Sequence, residues 1–254
     1  MVAGIVSGLL LGIFDNVFVV PVENRAIALE EQRAEAEAQA AGQTLEEEPP
    51  LVPVWVQSRI GEPIFQGLFG IILGLLFAGG VSLVRRAAPE WGVWATSLTV
   101  GALGFWSLNM VPFMKYPMNP PGVGEADTLL YRQSFQLLLF VLSLAGTALA
   151  LVAIRKVRAS VGPGQNPLPR LLGVAAAYIV FLVVILVAIP GNPDPVPVPI
   201  DMVELFRTLA MISQFLHWMG LAFFAALFLA WRQKSAGIEP MPSVEGHRSR
   251  VSTR

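Results

Sequence analysis

Six runs of mostly apolar residues, each about as long as the 20 residues a helix needs to cross the hydrocarbon core of a bilayer, dominate this chain. They cover 2–22, 63–84, 91–114, 135–153, 171–189 and 205–231. Only 14% of the residues are charged, against about 25% in an average soluble domain, so much of the surface faces something other than water. The pattern predicts an all-α fold, a polytopic membrane bundle of about six transmembrane helices. The bundle takes in 1–234, with an acidic outer loop at 23–62, and a polar tail at 235–254 is expected to be disordered.

Basic residues set the expected orientation. With the N-terminus inside, the inner segments hold Arg85, Arg86, Arg155, Lys156, Arg158, Arg170, Arg232, Lys234, Arg248, Arg250 and Arg254, which is 11 of the 17. Arg25, Arg33, Arg59, Lys115, Arg132 and Arg207 fall outside. Both termini are therefore expected in the cytoplasm, with the chain in the inner (plasma) membrane. The first run has no positively charged n-region and exceeds a usual signal-peptide core, so it reads as a span. The absence of charge before it leaves open a start further upstream. Its Gly4, Gly8 and Gly12 are spaced as small residues that let helices approach closely in lipid.

Charge and motif exclude several functions. A net charge of −1 offers no footprint for nucleic acid. With no cysteine there is no disulfide, thiolate metal site or cysteine nucleophile. The chain lacks a His-Glu-x-x-His zinc helix, a Gly-x-Ser-x-Gly elbow and a phosphate-binding loop. An enzyme is therefore not expected, and no cofactor is expected to be bound permanently.

Polar groups inside spans cost free energy in lipid and face the bundle interior. Asp15 and Asn16 interrupt the first span, and Glu23 lies about two turns beyond. Asn109 is near the outer end of the third. On the sixth, Arg207, Met211, Gln214 and Trp218 recur at helical spacing, flanked by Ser213 and His217. If these faces converge they form a polar path through the outer half of the bundle. Carboxylate, imidazole and amide are suitable ligands for a divalent first-row cation. The competing readings are structural: a hydrogen bond or an Arg207 pair for Asp15, packing for His217, and solvation for the acidic loop. Most of the 18 acidic residues fall on the outer side, a field that concentrates cations without choosing among them.

Proline fills the other outer loops. Lys115, Tyr116, Pro117, Met118, Asn119, Pro120, Pro121 and Gly122 follow the third span, and Pro190 to Pro199 precede the sixth. Fixed φ angles make both stiff connectors, and Lys115 to Gly124 is expected to cap the outer mouth. The first loop carries Glu30, Glu31, Glu35 and Glu37, predicted to prolong the first span as a helix into solvent, then Glu46, Glu47 and Glu48.

Three stretches together resemble the CbtA family of predicted cobalt transporters. They are the glycine-rich opening with its exit Val20-Pro21-Val22-Glu23-Asn24-Arg25, the run Pro112-Phe113-Met114-Lys115-Tyr116-Pro117-Met118-Asn119-Pro120-Pro121, and the proline-rich approach to Phe206-Arg207. The second, a Pro-Phe-x-Lys-Tyr-Pro-x-Asn-Pro-Pro pattern, is the most specific. The resemblance implies a membrane permease subunit for cobalt uptake linked to cobalamin supply, with Co²⁺ as the substrate. It also implies a small CbtB-type membrane subunit as partner. The different class of reading is a non-transporting scaffold or regulatory subunit of a metal transporter. One departure from the family is Glu46-Glu47-Glu48 without an adjoining histidine, which weakens the case for a metal trap in that loop.

Overall fold

A computed structural model of the chain describes residues 1–42, 56–125, 127–162 and 164–235. The acidic triplet Glu46 to Glu48 and the tail beyond Ser235 lie outside the described residues. Within them every regular element is helical: α1 (Val2–Phe18), α2 (Val20–Ala40), α3 (Glu62–Ala87), α4 (Val93–Phe105), α5 (Val111–Lys115), α6 (Leu129–Ser160), α7 (Leu168–Ala188) and α8 (Ile200–Ser235). π-helical turns lead into α3 at Gln57–Gly61 and join α4 to α5 at Trp106–Met110. Among the described residues five units are long and apolar enough to cross a membrane, and the bent pair of α1 and α2 adds a sixth if the two form one span.

The first span is prolonged as a helix beyond its apolar run, as expected, but with a bend between the two parts. It breaks at Val19, and α2 leaves at 52° to α1. Pro21 explains the break, since its ring has no N–H and clashes with the carbonyl four residues back. The chain restarts with Val22 and Glu23 both donating to the Val19 carbonyl, at 2.9 and 3.1 Å. Pro112 acts similarly in the third span, where the turn before it widens to a π bulge.

Small residues decide the packing. α1 lies antiparallel against α3, with Gly4 on Gly70, Gly8 on Gln66 and Gly12 on Pro63, so close that a methyl group at any of the three would overlap backbone. This is the close approach expected of the first span's glycine spacing. α4 meets α8 in the same way, with Gly101 beside Ala222 and Gly104 under the Trp218 ring. Leu73, Phe77, Val84, Val100, Trp218, Leu221 and Ala222 fill the centre between α3, α4 and α8. α7 packs on α6 through Leu182, Ile185 and Ile189 and stays mostly exposed, which in a bilayer means lipid-facing. Arg85, Arg86, Arg155, Arg158 and Arg232 gather at one end of the bundle, the basic end. Glu23, Glu62, Glu125 and Asp194 gather at the other, the acidic end.

Candidate polar site in the acidic half

α8 carries the site because its 36 residues run through the whole bundle and touch α1, α2, α4 and the loop after α5. Three of its polar side chains find partners on two other segments. Ser213 donates from its hydroxyl to Asp15 Oδ1 on α1 at 2.5 Å, with both residues buried. Gln214 Oε1 accepts from Asn109 Nδ2 at 3.2 Å, and Trp218 Nε1 donates to Asn109 Oδ1 at 2.7 Å. The π turn at Trp106–Met110 presents Asn109 to both.

His217 sits one turn from Ser213. It is 1% exposed, and among the described residues neither ring nitrogen has a hydrogen-bond partner. An unpaired buried polar group costs on the order of 1–3 kcal/mol, so a folded span carries such a group at a measurable loss.

Arg207 is placed differently from the expected Asp15 pair. Its guanidinium donates to Asn119 Oδ1 at 2.7 Å and to the Met118 carbonyl at 3.3 Å. The reason is axial: Arg207 lies six residues before Ser213, about 9 Å along a helix at 1.5 Å per residue, level with the loop rather than with Asp15. Among the described residues the ion pairs are Arg132 with Asp194 and Arg158 with Glu90.

The other sequence-derived candidates surround this core. Asn16 is half-buried beside Asp15, Glu23 is half-buried on α2, and Lys115 is half-buried at the end of α5. Asp15 and Glu23 lie within electrostatic reach of each other and of Glu62. Glu62 was not among the residues singled out in the sequence. It arrives because Gly12 rests on Pro63, which brings the start of α3 level with Asp15. Gln66, one turn into α3, donates to Glu62 Oε1 at 2.8 Å. The available signal was the Glu62-Pro63 helix start, but its neighbour on α1 is fixed only by the glycine contact. Among the described residues no three His, Asp or Glu side chains are gathered closely enough to hold a metal ion.

The loop after α5 is tied down on several sides. Tyr116 OH donates to the Pro190 carbonyl at 2.7 Å, and burial pushes its phenol above the usual range, which keeps it a donor. Met118 packs with Val19, Val22 and Phe206, and Pro120 is fully buried. Asp194, from the next proline-rich loop, accepts from the Glu125 backbone N–H, Thr128 Oγ1 and Arg132 Nε at 3.1, 2.7 and 2.8 Å.

Comparison with known proteins adds one finding. A family model described as probable cobalt transporter subunit (CbtA) matches residues 1–230. No curated protein and no solved structure matches the chain.

Proposed function

The chain belongs to the CbtA family of probable cobalt transporter subunits, and from that premise we propose that it is the permease subunit through which Co²⁺ enters for cobalamin synthesis. The observation that carries this reading is on α8. A fully enclosed histidine, without hydrogen-bond partners among the described residues, lies one turn from the serine that holds a buried carboxylate. Imidazole nitrogen and carboxylate oxygen are ligands that Co²⁺ accepts, and an intramembrane ionisable residue marks an ion pathway by default. Co²⁺ gathers at the acidic end, passes the Asn119 and Pro120 loop, and moves along Asp15, Asn109, Gln214 and His217. With Asn16, Glu23, Lys115 and Arg207 around its mouth, this route carries both signs of charge, so Arg207 must stay drawn toward Asn119 for a cation to reach Asp15.

Too few ligands line the route to strip a divalent ion of its water. Co²⁺ therefore travels partly hydrated, or with ligands supplied by a small CbtB-type membrane subunit. The absence of a gathered three-residue metal set among the described residues favours the second reading, a scaffold that assembles or regulates a transporter without conducting. Purified protein alone in liposomes separates the two. Co²⁺ influx above that of empty liposomes, reduced in Asp15→Asn, supports the permease. Influx that needs an added subunit and is indifferent to Asp15→Asn supports the scaffold.

A further inference from the structure

We infer that the cleft between α3, α4 and α6 is a binding site for one anionic diacyl phospholipid, its acyl chain in the cleft and its headgroup at the basic end of the bundle. The cleft is open on one side, and the space free of protein atoms in it, the open side included, is about 460 Å³. It is walled by Leu76, Gly80 and Val84 on α3, by Leu103 on α4 and by Ala148 and Leu151 on α6, with Trp218 at its floor. Along α3 it runs from Leu76 to Val84, eight steps or about 12 Å at 1.5 Å per residue.

The lining has no polar group left to offer a hydrophilic ligand. The Ser107 hydroxyl donates to the Leu103 carbonyl, and the Thr147 hydroxyl is shared between the Ser143 carbonyl at 2.9 Å and Tyr178 OH at 2.8 Å. Such a cleft takes a hydrocarbon chain, not an ion.

Charge chooses the headgroup. Leu144, Ala148, Leu151 and Arg155 follow one face of α6 at helical spacing, so Arg155 stands one turn beyond the last apolar wall residue. Arg85 and Arg86 follow Val84 directly at the end of α3, and Lys156 follows Arg155. All four cations are exposed, and among the described residues none has a hydrogen bond or ion pair. Arg158 differs, because it donates to Glu90 at 2.9 Å and to the Ala87 carbonyl at 3.3 Å, pinning α6 to the end of α3. Its charge is answered within the protein, whereas the other four call for a phosphate from outside. Clusters of Lys and Arg at the end of a span recognise anionic headgroups in this way. The Trp218 ring that floors the cleft also holds Asn109 through its indole N–H, so the lipid is one side chain away from the polar site.

Native mass spectrometry of the full chain in detergent, with phosphatidylglycerol or phosphatidylcholine added in mixed micelles, tests the assignment. The wild type is expected to hold phosphatidylglycerol about tenfold more tightly than phosphatidylcholine. Arg85→Gln, Arg86→Gln and Arg155→Gln combined should abolish that preference, and Ala148→Phe should reduce binding of both lipids. Should Ala148→Phe fail to fold, phosphatidylglycerol with brominated acyl chains gives a second reading. It should quench the wild type more than Trp218→Phe, because the floor of the cleft is then in contact with the chain. Equal binding of the two lipids, full displacement by inorganic phosphate, or undiminished binding in a folded Ala148→Phe overturns the site. So does a change in oligomeric mass instead of lipid count, which would make a second copy the occupant.

Discussion

Ser213 gives Asp15 a donor at 2.5 Å, and the geometry suits a neutral side chain as well as an ionised one. Asp15→Asn keeps the shape and an acceptor oxygen, so the bundle should fold and reach the membrane at its normal level. What it removes is the negative charge. We expect Co²⁺ uptake, normalised to protein in the membrane, to fall to background in Asp15→Asn and by several-fold in His217→Ala. A purely structural Asp15 gives the opposite pattern: less protein, with normal uptake per remaining molecule. Asp15 and His217 were legible in the sequence because ionisable groups avoid lipid wherever a helix interior is available. The partner of Arg207 was not. Periodicity says which face a residue shares, but the level at which two helices meet is set by contacts elsewhere, here the seating of Gly12 on Pro63 and the loop that offers Asn119.

At the scale of the helix, the pair α1 and α3 is held by backbone approach rather than by side-chain interdigitation. A methyl group at Gly8 would overlap the Gln66 carbonyl, which cannot move without moving α3. Gly79, on the same α3 but away from any neighbour within 4 Å, is the matched control. Thermal unfolding in detergent should show Gly8→Ala destabilised, by about 1–3 kcal/mol if it behaves as other overpacked sites. Gly79→Ala should be neutral or more stable, since glycine in a helix interior costs roughly 0.5–1 kcal/mol relative to alanine. Equal stability of the two variants would mean that the glycine seam does not hold the pair. The helices themselves could be read from the apolar runs, though hydropathy marks the hydrocarbon and not the helix. α6 therefore begins at Leu129, well before the apolar run at 135. The break at Val19 was harder to see, because Pro21 suits the first turn of a new helix as well as it stops an old one.

For the whole molecule, charge sets the expected sidedness. We expect the end that gathers Arg85, Arg86, Arg155, Lys156 and Arg232 to lie in the cytoplasm, as positive residues beside spans do, and the acidic end to face outward. Among the described residues the five single units long and apolar enough to cross all lie between Glu48 and Arg254. An odd number of crossings puts those two points on opposite sides, whatever the bent first span does. A reporter fused after Glu48 is therefore expected outside and one at Arg254 inside. A third reporter at the N-terminus tests the bent pair separately. If α1 and α2 together cross, that reporter appears inside with Arg254; if they enter and return on one side, it appears outside with Glu48. We expect it inside, because α1 packs antiparallel to α3 from Gly12 on Pro63 to Gly4 on Gly70, and a helix seated along a spanning partner in this way runs through the membrane with it. Reporters at Glu48 and Arg254 on the same side would mean that one of the five units does not cross. The route from Asn119 to His217 would then lose its two separated ends.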